Sequence, residues 1–307
     1  MRPDPAPAQA AGYTLGLVPD LFAADGNDDE RSRVDHRPGG QPPEPGYYTW
    51  LGNGRYRPSL HTQGAWQPHE QHMAPVSGVI LHQVERFVRE QFGDDGLQIA
   101  RIGCEILGLI ERTDFEIAVE VLRGGRTIQL LEATLTVAHR PVIRARIWRL
   151  SVQDTAAVTG GQPEPLPEPK TVPGWDGTYE WSGGYIASIQ FRVLPGRQPG
   201  HTRAWLRTEQ ELVNNEPSSD LARFVGLVDT ANGIATRVRP GDWMFPNVDL
   251  TLHLYRQPRG RWVGLDTSVI FGGEGVGLTT STLFDERGPV GRAEQILTIR
   301  SLGQAAP

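Results

Sequence analysis

Cysteine is almost missing from this chain: Cys104 is the only one in 307 residues. An internal disulfide is therefore excluded. No Cys/His ligand set accompanies it, so neither a zinc ribbon nor any other metal site is expected. Lysine is equally scarce, with Lys170 alone among 30 basic residues and arginine making up the rest. Arginine suits forked contacts to phosphate, but coding bias explains the same composition, so it identifies no ligand. Long apolar runs are also lacking, and none approaches the roughly 18 residues of a membrane helix. The N-terminal MRPDPAPAQAAG has an aspartate and prolines where a secretory leader needs an apolar core. A net charge of −6 argues against general binding to nucleic acid or an anionic membrane. Together these absences predict a soluble, cytoplasmic protein with no nucleic-acid partner and no membrane span.

What remains suffices for a core. Hydrophobic residues make up 38% and charged residues 21%, and the length suits about two domains. Residues 1–12 are Pro/Ala-rich and read as a disordered N-terminus; residues 24–46 lack apolar periodicity and read as a flexible insertion. GGQPEPLPEPKTVPG (160–174) reads as a Pro-rich linker between units at 13–159 and 175–307.

Both units follow one grammar. In the first, Val76, Ile80, Val84, Phe87 and Val88 recur at helical spacing, with Pro75 in the first turn and Gly93 at the stop, predicting a helix over about 75–91. Alternating, β-branched runs follow at 99–110, 115–122, 126–138 and 142–150. In the second, strands are expected at 185–194 and 201–209. A helix over about 219–236 follows, capped by Ser218 or Ser219, with Leu221, Phe224, Val225 and Val228 on one face. Further strands fall at 248–256, 261–270, 276–285 and 291–301. One helix and several long strands, twice over, is an internal repeat. Each unit is expected to be an antiparallel sheet wrapped around one helix, α+β in class, with the two sheets joined edge to edge.

Two stretches carry a family resemblance. FPNVDLTLHLYRQPRGRWVGLDTSVIFGGEGVGLTTSTLFDERGPVGRAEQILTIR (245–300) has an aspartate-bearing strand, a basic-Pro turn, a Gly-rich stretch, a D-x-x-G hairpin and a final A-x-Q strand. VEVLRGGRTIQLLEATLTVAHRPVIRARIWRL (119–150) has an R-x-GR hairpin and a terminal R-A-x-x-W strand. The chain thereby resembles acyl-CoA thioesterases of the thioesterase II type, over most of 48–302 and most specifically over 219–302. The resemblance implies a double hotdog, two tandem hotdog units, without a cofactor. It also implies a hydrolytic trio in the second unit: an aspartate on the central helix, a threonine at the following strand's start and a glutamine on the last strand. By position these fall on Asp229, Asn247 and Gln295, with asparagine replacing the threonine. Thr251, further along that strand, is the other candidate for the missing hydroxyl. The family's Gly-Gly turn before its first helix is replaced here by Met73, Ala74 and Pro75. Thr251, His72 and His82 are the candidates for substrate contact.

The chemistry fits these residue types. One carboxylate beside a helix can activate water as a general base, two neutral side chains can hold the reactants in line, and backbone N–H groups at a helix N-terminus can stabilise an oxyanion. A thiolate leaves with little help. Hydrolysis of acyl-CoA or acyl-carrier thioesters is thus the leading expectation, in a homodimer. Two alternatives stay open: a hotdog hydratase or acyltransferase, and a non-catalytic acyl-binding protein. GGEGVG (272–277) lacks the following Lys-Ser/Thr of a phosphate loop, and no G-x-S-x-G elbow is present.

Overall fold

The computed structural model describes residues 46–303. The expected disordered stretch at 1–12 and all of the expected insertion except Gly46 lie outside the described residues. Gly46 itself is buried, the first residue of a strand.

The first half runs β1 (Gly46–Gly52), β2 (Arg55–Pro58), α1 (Met73–Phe92), then β3 (Leu97–Ile106), β4 (Phe115–Arg123), β5 (Ile128–Val137) and β6 (Arg140–Ser151). The second opens with β7 (Gly174–Trp175), α2 (Gly184–Ala187), β8 (Ile189–Val193), β9 (His201–Thr208) and β10 (Glu211–Val213). It continues through α3 (Asp220–Val228), α4 (Ala231–Ile234), β11 (Trp243–Met244), β12 (Asp249–Leu254), β13 (Val263–Phe271), β14 (Val276–Asp285), β15 (Gly288–Thr298) and β16 (Arg300–Ser301).

Fourteen of these strands form one sheet, ordered β10-β1-β2-β4-β5-β6-β3-β12-β15-β14-β13-β9-β8-β7. The halves meet where β3 pairs antiparallel with β12, Cys104 opposite Leu250. They meet again where β10 pairs in parallel with β1, Tyr48 opposite Val213. Local periodicity carries no information about that second contact.

The helices share one core. Val76, Val79, Ile80, Leu81 and Val84 of α1 are buried together with Leu221, Val225 and Val228 of α3. Where the helices cross, a Cβ on Gly78 would lie 2.9 Å from the Gly226 Cα. A larger residue there would push the two units apart. Ser77 Oγ bonds the Val225 carbonyl across the crossing, at 3.0 Å.

Two expected elements differ. Residues 185–194 do not begin as a strand: Tyr185 and Ile186 lie in the short α2, and the strand starts at Ile189. Gly183, at φ 114°, turns the chain sharply there. The helix expected over 219–236 is broken. Ser219 caps α3 by accepting from Ala222 N, the helix stops at Val228, and Asp229 is its C-terminal cap. The Thr230 amide bonds Leu227 O rather than the carbonyl four residues back, which tightens the turn before α4 begins. Among the described residues no helix is long and apolar enough to cross a membrane.

Candidate active site

Asp229 stands at the break between α3 and α4, 5% exposed. Its Oδ1 accepts two hydrogen bonds, from Asn247 Nδ2 and from Gln295 Nε2, each at 2.8 Å. Asn247 follows Pro246 at the entry to β12, where its Nδ2 also donates to the Asp249 carbonyl at 2.9 Å. Gln295 is buried on the inner face of β15. The three residues singled out in the sequence thus meet, with two side-chain amides on one oxygen of the Asp229 carboxylate. Burial lifts the Asp229 pKa to about 6; the two amide donors oppose the rise, and the Asp249 charge adds to it.

Asp229 Oδ2 faces the first unit. His72, the N-cap of α1, accepts from Ala74 N through Nδ1 at 3.1 Å, so that nitrogen carries no proton and the imidazole is the Nε2–H tautomer. The same Nδ1 lies 3.5 Å from Asp229 Oδ2. Burial holds the His72 pKa down to about 3. The pair is a neutral ring beside a carboxyl group, not a salt bridge. The Tyr185 ring packs 4.2 Å from the His72 ring, and Tyr185 Oη is hydrogen-bonded to Thr230 Oγ1 at 2.7 Å.

The first-turn amides of α1 lie at the His72 end of this cluster, and most of them are committed. His72 N–H bonds Thr62 O, Ala74 N–H bonds His72 Nδ1, and Pro75 has no N–H. Met73 N–H is left, without a hydrogen-bond acceptor among the described residues. It sits at the positive end of a 20-residue helix.

Met73, His72, Asp229 and Asn247 line one cavity of about 150 Å³, whose remaining wall is largely aromatic and aliphatic: Trp66, Trp175, Trp181, Ile186, Phe191 and Ile234. Trp66 meets Trp181 and Phe245 edge-on, with ring centres 4.9 and 5.2 Å apart. A larger groove of about 550 Å³ shares Trp66, Glu70, Gly108, Leu109 and Pro246 with this cavity and continues past Gln67, Thr298 and Arg300.

Comparison with known proteins bears on this arrangement. The family models for the acyl-CoA thioesterase N-terminal and C-terminal domains match residues 62–150 and 154–299. The chain belongs to the acyl-CoA thioesterase family. No curated protein matches its sequence. Among solved structures, this family member is similar to the acyl-CoA thioesterase II TesB2 of Mycobacterium marinum at 18% identity, over 85% of this chain and 97% of that one, with TM-score 0.59. It is similar to the tesB protein of Mycobacterium avium subs paratuberculosis at 16% identity, over 82% and 95%, with TM-score 0.61. It also matches a conserved protein with a hot dog fold from Alicyclobacillus acidocaldarius at 12% identity, over 86% and 97%, with TM-score 0.64. The fold is a double hotdog.

Within this acyl-CoA thioesterase fold, the other expected contact residues separate. His72 lines the cavity. Thr251 does not: Leu250, Leu252 and Leu254 take the inner face of β12, so the period-2 alternation turns Thr251 outward. His82 lies ten residues along α1 and is hydrogen-bonded to Glu216 at 3.0 Å, away from the cavity. Sequence reading missed Trp66, Trp181 and Tyr185, which come together only through tertiary packing. The Met73 amide had a signal, since proline in a first helical turn leaves fewer N–H groups to be shared.

Proposed function

We propose that this protein hydrolyses acyl-CoA or acyl-carrier thioesters in the cavity, with Asp229 as general base acting through one water. The reading rests on one observation above all: Asp229 Oδ1 is held by Asn247 and Gln295, which leaves Oδ2 to take a proton. Water held at Oδ2 attacks the thioester carbonyl carbon as its proton passes to the carboxylate. The carbonyl oxygen gains charge and meets Met73 N–H, where the α1 dipole adds to the hydrogen bond. The C–S bond then breaks, the electron pair leaves with the thiolate, and the carboxylic acid product forms. Asp229 returns its proton to the thiolate or to solvent.

Asparagine in place of threonine suits this chemistry, because its amide N–H₂ donates to the base and to the Asp249 carbonyl at once. The cavity takes the acyl group, and the groove past Gln67 and Arg300 takes the polar thiol-bearing arm. Thiol release from a panel of CoA esters tests the reading. Release by the unaltered protein, lost by about 100-fold or more in Asp229→Asn, supports it. Tight binding of the esters with no thiol release would instead identify a non-catalytic acyl-binding protein.

A further inference from the structure

His72 carries a donor that nothing in the described part of the protein engages. The rest of its ring is held. Nδ1 accepts from Ala74 N–H at 3.1 Å, the same nitrogen lies 3.5 Å from Asp229 Oδ2, and the Tyr185 ring packs at 4.2 Å. With Nδ1 serving as an acceptor, the ring proton sits on Nε2, at the far side of the imidazole. Among the described residues Nε2–H meets no acceptor, yet the atom is not occluded. Open space therefore lies in front of it. That space is the cavity: His72 lines the cavity and not the outer groove. Its side chain keeps 16% of its surface accessible, although burial holds its pKa down to about 3.

One imidazole thus stands beside the carboxylate at one nitrogen and presents a donor at the other. Addition of water to a carbonyl needs this pairing, a base that delivers the nucleophile to carbon and a donor aimed at the oxygen. A neutral imidazole at a helix N-terminus polarises a carbonyl without giving up its proton.

We infer that His72 is a further catalytic residue, whose Nε2–H donates to the thioester carbonyl oxygen alongside Met73 N–H. The inference rests on the thioester entering this cavity, as proposed above. As water adds to the carbonyl carbon, the C=O π pair moves onto oxygen and the hydrogen bond from Nε2 strengthens on the growing charge. When the C–S bond breaks, the pair returns and the thiolate leaves. The Nε2 proton stays on the ring throughout.

His72→Asn tests the role, because asparagine still caps α1 but is too short to place a donor where Nε2–H stands. For a hydrolysed CoA ester, kcat should fall by about 100-fold, the scale of one lost oxyanion donor, with KM and the melting temperature little changed. A second readout needs no turnover: infrared spectra of hexanoyl-CoA, isotope-labelled at its thioester carbonyl and bound to Asp229→Asn protein. A hydrogen bond lowers the carbonyl stretching frequency, so adding His72→Asn should move the band to higher frequency. If the asparagine variant does not fold, His72→Ser, which also caps a helix, takes its place. An unmoved carbonyl band overturns the inference, as does a kcat within about threefold of the parent. Turnover separates the two readings. Hydrolysis that needs Asp229 but not His72 removes only the role of His72. A band that moves when the unaltered protein hydrolyses nothing supports the contact to His72 and removes the role of Asp229.

Discussion

The two units share a plan and differ in what they bury. The inner face of the first sheet is dry through its middle, with Ile102 and Cys104 on β3, Leu131, Ala133 and Leu135 on β5, and Ile143, Ala145 and Ile147 on β6; its buried polar pair, Gln129 and Arg149, lies at one end and is hydrogen-bonded together at 2.5 Å. The corresponding face of the second carries Thr202, Thr267, Thr279, Ser281 and Gln295. Some of these pair, Thr267 with Ser281 at 2.8 Å and Thr202 with the Ile234 carbonyl at 2.8 Å, whereas Thr279 Oγ1 has no partner among the described residues. The helices differ in the same sense. α1 runs unbroken for 20 residues, while α3 stops after nine at the buried Asp229. Buried polar groups weaken a core unless they are matched. The dry unit therefore supplies stability, and the polar unit spends part of it on holding a carboxylate. The cavity lies where they meet, lined by His72 and Met73 at the α1 N-terminus from the first and by the Asp229 carboxylate from the second.

This contrast can be broken from either side. The largest effect on stability belongs to the dry unit. Ile80, fully buried in α1, should cost about 2–5 kcal/mol on Ile80→Ala, read by denaturant unfolding, while the pH profile of the folded fraction stays unchanged. A smaller and opposite change is expected at the polar unit. Because burial raises Asp229 to about 6, its contribution to stability is complete below about pH 4, the unfolded value, and is lost as pH rises through 6. Asp229→Asn, which still offers an oxygen to Asn247 and Gln295, should raise stability by about 2–3 kcal/mol at pH 8. At pH 4 the gain should vanish; a gain of equal size at both values would contradict the burial of an ionised carboxylate.

The two amides give graded effects on turnover. Gln295→Ala removes one of two donors to the base and should lower kcat about 10-fold or more with KM little changed. Asn247→Ala should lower kcat as well, and should also move the acid limb of the profile to higher pH, since a donor that holds the Asp229 pKa down is gone. Asn247→Thr should have the smallest effect, within about threefold of the parent, because a hydroxyl still donates to Asp229.

Much of the scaffold was legible because it is written in local periodicity. Alternation marked the long strands, and the spacing from Val76 to Val88 marked α1. The convergence of Asp229, Asn247 and Gln295 came from positions within a family pattern. Thr251 was misplaced although the alternation of Leu250, Leu252 and Leu254 already assigned it to the outer face. The pairing of Tyr48 with Val213, the helical turn at Tyr185 and the aromatic wall of Trp66 and Trp181 depend on contacts between residues far apart in the chain. The break at Asp229 is hidden for a related reason: residues 219–236 read as one helix, and only tertiary packing tightens the turn at Thr230.

The role of Asp229 is tested most directly by the pH dependence of kcat/KM for a hydrolysed CoA ester, measured with the unaltered protein and with Asp229→Asn. In the unaltered protein kcat/KM should fall as pH drops through about 6, the value to which burial lifts Asp229, as the base takes up a proton. In Asp229→Asn the rate at pH 8 should be lower by about 100-fold or more, with that acid limb gone. Hydrolysis by Asp229→Asn at the parental rate, with the same limb near pH 6, would contradict a catalytic Asp229 and place the base elsewhere in the cavity.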